Sequence, residues 1–143
     1  MKAVAPILSH SALLLIGLIA VSLIIVSLSS SFSKTEKDLI RTELNYIAES
    51  AKNKILEIYS IANQTMEYSN SSFQLNLPQK IGERNYLLKL NQENLTVSMS
   101  FKNENIEVVR TLNIDAHLSG EAYLPASIIA ENNGGIITMD LVD

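Results

Sequence analysis

The chain has 143 residues, a formal net charge of −4 and no cysteine. That length leaves room for about one small domain beside a long apolar segment, and the acidic balance, with an isoelectric point near 5.2, excludes the phosphate-neutralising basic face that nucleic acid requires. Disulfides and thiol chemistry are excluded as well.

The first element is Ala3–Ser33. Between Lys2 and Lys34 it carries no Asp, Glu, Lys or Arg, and His10 is its only ionisable side chain. The apolar excess that lifts mean hydropathy to +0.16 lies almost entirely here. A helix needs about 20 apolar residues to cross a bilayer, and this segment has length to spare. It differs from a secretory signal, because Met1-Lys2 is a minimal basic region, the apolar run is too long and no A-x-A-like site closes it. Residues 1–33 are therefore expected to form a retained hydrophobic helix. Pro6 suits its first turn, where a missing N–H costs nothing. Ser9, Ser11, Ser22 and Ser27 can donate their hydroxyls to carbonyls one turn back. His10, near the end of the segment, reads as an interfacial residue.

Ser29-Ser-Ser-Phe-Ser33 interrupts the apolar run without Pro or Gly. Ser33-Lys-Thr-Glu36 matches a capping box, which would start a second helix. Serine's middling propensity equally allows one helix from about Pro6 into the late sixties, the arrangement expected here. Over residues 34–69, Ile40, Leu44, Ile47, Ala51, Ile55, Ile58, Ala62 and Met66 recur every three or four positions and form one apolar stripe. Glu36, Glu43, Lys52, Lys54 and Glu57 lie opposite, and Tyr46 and Tyr59 beside it. Such a stripe must pack on a sheet of the same chain or on helices of neighbouring copies.

At Asn70 the pattern changes from helical to alternating. Strands are expected at Phe73–Leu77, Tyr86–Leu90, Leu95–Phe101 and Ile106–Ile114, separated by turns at Pro78–Gly82, Asn91–Asn94 and Lys102–Asn105. Weaker extended segments follow at Glu121–Leu124 and Ser127–Ala130, then the turn Asn132–Gly135 and a closing strand at Ile136–Val142. Short strands with one-faced alternation predict an antiparallel meander over residues 70–143, with one solvated face. The class expected is α+β, a long hydrophobic-to-amphipathic helix followed by a small antiparallel β domain.

Chemistry-bearing motifs are sparse. His10 and His117 lie in different segments and lack metal-ligand spacing. Asn133-Gly-Gly135 reads as a turn rather than a phosphate loop, and the chain has no P-loop or nucleophile elbow. Glu104, Glu107 and Asp115 read as a solvated face, and Asp140 and Asp143 as an acidic terminus. An enzyme is not expected, nor a catalytic, metal or cofactor site. Three glycosylation sequons, at Asn63, Asn70 and Asn94, favour an exported C-terminal part.

Behind Lys2, Val4-Ala-Pro-Ile-Leu8 resembles the start of archaeal type IV pilins and the related archaellins. In that family a short basic leader precedes a pattern like V-[SA]-P-[VI]-[IL]-G and a long apolar helix; here Ser9 stands where glycine is usual. The order of elements is similar too. The resemblance implies a protein that waits in the membrane, is cut by a prepilin peptidase between Ala3 and Val4, and is moved by the pilus assembly machinery into a filament. Sister helices would bundle as a homopolymer core, with Pro6, Ile7, Leu8, Leu14, Gly17 and Ile24 inside it and the β domains facing outward. The early helix lacks the acidic residue that helps register subunits in many bacterial pilins. The function so implied is a structural subunit of an archaeal type IV pilus-like surface filament serving adhesion. The alternative is a single-pass membrane-anchored accessory or stator-like component of a pilus or archaellum machine, with an extracellular β domain.

Overall fold

The computed structural model of the protein describes residues 4–64 and 69–143, with side chains from His10 onward. One helix, α1, runs from Val4 to Gln64. Seven strands follow: β1 Ser69–Leu75, β2 Leu87–Asn91, β3 Asn94–Phe101, β4 Glu104–Thr111, β5 His117–Tyr123, β6 Ala126–Asn133 and β7 Ile136–Val142. The class is α+β, a long N-terminal helix and a mostly antiparallel sheet. The chain separates into two compact units, Met1–Asp38 and Leu39–Asp143, and α1 contributes to both.

The serine-rich stretch does not break α1. Ser31 donates its hydroxyl to the Ser27 carbonyl and Thr35 to that of Ser31, each at 3.1 Å. These side chains are satisfied one turn back, so the polar run costs the helix little. Ser33 and Glu36 accordingly lie in mid-helix and not at a cap. The described part of α1 ends at Gln64, residues 65–68 lie outside the described residues, and Ser69 already belongs to β1. Near that end Asn132, a buried polar residue of β6, donates its side-chain amide to the Ala62 carbonyl at 2.9 Å. Met66, assigned to the stripe by its spacing, lies outside the described residues.

Within the unit Leu39–Asp143, Ile40, Leu44, Ile47, Ala51, Ile55, Ile58 and Ala62 are all buried, as their spacing predicts. They join one core with Leu88 and Leu90 of β2, Leu95, Val97, Met99 and Phe101 of β3, Ile106 and Val108 of β4, Ile128 and Ala130 of β6, and Ile137, Met139 and Leu141 of β7. Each strand gives alternate residues to this face. Its other residues, such as Lys89, Glu107, Ser119 and Glu121, face solvent. Arg110 ties sheet to helix, donating to Asn45 Oδ1 at 2.7 Å and to Glu49 Oε2 at 3.1 Å.

The sheet is not the expected meander. Its order is β1-β6-β7-β5-β2-β3-β4, and β5 pairs with β7 in parallel. Strands β2, β3 and β4 do run as a meander, but β5 returns beside β2, the Greek-key arrangement. The return is laced by Leu112 N donating to Glu93 O at 2.7 Å and Gln92 N to Leu118 O at 3.1 Å. The hairpin β6–β7 then fills the space between β5 and β1. Strand edges shift accordingly. The strand expected to reach Ile114 stops at Thr111, where Asn113 turns left-handed with φ 47°. Leu77 is buried but lies past β1, its N–H turned back to Leu75 O at 2.9 Å.

Two hairpins show why the turn residues are what they are. Lys102 and Asn103 both have positive φ, 47° and 67°, as do Gly134 and Gly135 at 68° and 99°. Two consecutive positive φ values match the right-handed twist of the flanking strands.

Tyr86 is buried just before β2 and donates its hydroxyl to the Pro78 carbonyl, closing the segment between β1 and β2. Burial pushes its phenol well above the ordinary value. A folded-state pKa raised above the unfolded one gives stability that is complete below about pH 10 and is lost as pH climbs from there towards the folded value. Tyr86→Phe is expected to lower stability by about 1–2 kcal/mol at pH 8. It should also remove this residue's share of the decline above about pH 10. Urea unfolding of the two proteins at neutral and strongly alkaline pH measures both effects; an unchanged midpoint at pH 8 would contradict the hydrogen-bond assignment.

Candidate functional site

The feature that calls for a function is the surface of α1 from His10 to Ser31, where every side chain is exposed. Leu13, Leu14, Leu18, Leu23, Ile24 and Val26 are each 59–70% exposed, and no charged residue relieves them. The helix is long enough and apolar enough to cross a membrane, and none of its apolar window is buried within the chain. In water such a surface would be covered by something else. Ser22 donates its hydroxyl to Leu18 O at 2.8 Å, so its polar atom is already met inside the helix.

Of the residues assigned to a helix bundle, Leu14 and Gly17 come together. With His10, Leu13, Leu18 and Val21 they line one shallow notch in the helix surface, and Gly17, with no atom near its missing Cβ, forms its floor. Small residues at such positions let a second helix approach closely. Ile24, 59% exposed, lies outside that notch. Val4, Pro6, Ile7 and Leu8 fall in the first turns of α1, with Pro6 where proline is tolerated; their side chains, and Ala3 altogether, lie outside the described residues.

The three sequons fall at one end of the second unit. Asn63 is exposed in the last described turn of α1, Asn70 is the second residue of β1 and Asn94 begins β3. The antiparallel pairing of β2 with β3 and β5, and the parallel pairing of β5 with β7, put the starts of β1, β3, β5 and β7 together. The opposite end lies beside the start of this unit's helix, where Thr42, Glu43 and Tyr46 meet Pro78–Gly82. Asn70 donates its amide to Glu131 Oε1 at 3.0 Å, and Asn94 Oδ1 accepts from the Thr111 hydroxyl at 3.3 Å. Thr65, the hydroxyl residue of the first sequon, lies outside the described residues.

A polar cleft of about 680 Å³ at the sequon end brings together Glu93, Asp115, His117, Ser119 and Asp140. The spread of these residues in sequence gave no hint of this, because the Greek-key return is what assembles them. Asp140 already accepts from the Ser119 hydroxyl, and Asp143 accepts from the Tyr123 N–H at 2.8 Å. Glu107 accepts from Asn105 at 2.6 Å. Among the described residues no three His, Asp or Glu side chains are placed to hold a metal ion. His10 belongs to the unit Met1–Asp38 and His117 to the unit Leu39–Asp143. Comparison with protein-family models, with curated proteins and with solved structures finds no match for this chain.

Proposed function

We propose that the protein is a structural subunit of a type IV pilus-like surface filament, held in the membrane by α1 before assembly and by the helices of sister copies after it. One observation carries this reading: a single helix is apolar on all sides over its first half and apolar on one buried stripe over its second. The first half needs an apolar environment outside its own chain. Lipid and a bundle of like helices both supply it, so the same surface serves both states. The resemblance of Val4–Leu8 to archaeal pilins gives the direction of the change. The placing of Asn63, Asn70 and Asn94 at the end of the domain away from Leu39 fits a domain that faces outward.

On this reading the β domain is carried to the filament surface, and its polar outer face meets water, glycans or a surface to be colonised. The test is electron microscopy of material sheared from cells, with the chain identified by peptide mapping. Thin filaments containing the chain, with an N-terminal peptide starting at Val4, are expected. Recovery of the chain only in membranes, with residues 1–3 attached, would contradict the reading.

A further inference from the structure

The sheet has two edge strands, β1 and β4, and each turns one row of backbone N–H and C=O groups away from its single partner strand. Such a row is a template for pairing with another chain, and proteins guard it with charged side chains or proline. β4 is guarded in this way, by Glu104, Glu107 and Arg110. β1 is not. Its seven residues, Ser69–Leu75, include no charged side chain, no proline and no glycine. Copies of a chain with net charge −4 also meet with least repulsion along a neutral strip.

The pairing of β1 with β6 fixes which way its side chains go. Ser71, Phe73 and Leu75 stand opposite Ala130, Ile128 and Ala126, all buried, and so share the core side of the sheet. Asn70, Ser72 and Gln74 stand opposite Glu131, Ile129 and Ser127 on the outer side. The core side is not closed at this edge, because Phe73 is only partly buried and Ser71 is exposed.

We infer that β1 pairs with β1 of a second copy, antiparallel and centred on Ser72. That register opposes all seven residues and keeps every side chain on its own face. On the core side Ser71 meets Phe73 of the second copy, and the two Phe73 rings become diagonal neighbours. On the outer side Asn70 meets Gln74 of the second copy. Asn70 Nδ2 is held by Glu131 Oε1 at 3.0 Å, so Oδ1 faces the incoming amide. A shift of one residue would set apolar side chains against the polar face. Because the same patch serves both copies, the contact closes at two.

β1 starts at the sequon end of its domain, so antiparallel pairing points the two sequon ends in opposite directions. Subunits of one polar filament share one orientation. The contact therefore joins filaments that run in opposite directions, where many weak seven-residue pairs add to a firm one. This placing rests on the filament reading; the pairing of the two edges does not.

The absence of cysteine makes the test direct. Opposed residues of antiparallel strands have Cα atoms about 4.5–5.5 Å apart, within disulfide reach. Ser72→Cys is placed in the full chain, and Glu107→Cys on the other edge strand serves as control. Mild oxidation of sheared material is expected to give disulfide dimers at 72 and few at 107. Adding Ser71→Lys should reduce the dimer at 72 by about tenfold, with thermal unfolding of the β domain unchanged because Ser71 is exposed. Dimers absent at 72, as frequent at 107 as at 72, or persisting in the Ser71→Lys chain would overturn the inference. Mixing filaments from two cultures, one with tagged Ser72→Cys chain, should give tagged–untagged dimers; dimers that never mix would overturn the placing between filaments. The 72 dimer without filaments would overturn the filament reading and leave the pairing standing.

Discussion

On the membrane anchorage proposed for α1, replacing Leu18 and Val21 with Asp is expected to release the protein from membranes. Both side chains are exposed on the apolar half of α1, at 70% and 55%. An Asp near the middle of a spanning helix costs about 2.5–3.5 kcal/mol where a Leu or Val gains a few tenths, so the pair shifts insertion by roughly 6–8 kcal/mol. That exceeds what the remaining run can recover by tilting or by sliding in the bilayer. Neither residue contributes to the core of the β domain, so its thermal unfolding should not change. Partition between membrane pellet and supernatant after alkaline washing reads the first effect, and circular dichroism the second. A doubly substituted chain that stays in the pellet would mean that α1 is not what holds the protein to the membrane.

Gly120→Val is expected to unfold or badly weaken the β domain. Gly120 sits in β5 with φ +105°, a conformation that only glycine adopts readily. A side chain there would also drive its Cβ into the backbone of Leu141, with Leu141 N only 2.8 Å away and the carbonyl nearer still. The pairing of β5 with β7, where Gly120 lies opposite Leu141, leaves no room to yield. Backbone strain of about 1–3 kcal/mol and overpacking of a similar size together remove a large part of the roughly 5–15 kcal/mol that holds a domain folded. Gly135→Asn is the matched control. It too has positive φ, at +99°, but nothing lies within 4 Å of its Cβ position, so its cost should stay near the strain term alone. Equal urea midpoints for the two variants would contradict the packing argument.

Much of this architecture was legible because periodicity is a strong signal. The spacing of Ile40 through Ala62 named the buried face of α1 residue by residue, and the alternation of Leu95, Val97, Met99 and Phe101 fixed which face of β3 is inside. The continuity of α1 across Ser29–Ser33 was the better of two open readings, settled by hydroxyls that bond one turn back. The topology was not legible. A meander and a Greek key contain the same strands and differ only in where the segment Leu112–Ala116 carries the chain, which no local pattern records. β5 was under-read because its outward residues, Ser119 and Glu121, and the glycine between them, Gly120, look like loop. The cleft around Asp115, His117 and Asp140 was hidden for the same reason.

The claim that α1 has two environments can be measured at one position. Ile24, 59% exposed in the middle of the apolar run, is replaced by Cys and labelled with a spin label in the otherwise cysteine-free chain. In membranes the label should be accessible to oxygen dissolved in lipid and shielded from water-soluble relaxants. In sheared filaments it should lose lipid contact and show strong dipolar broadening from labels on neighbouring copies. A label that stays in lipid with no close neighbours, in every fraction that contains the chain, would contradict the account and leave α1 as a membrane anchor alone.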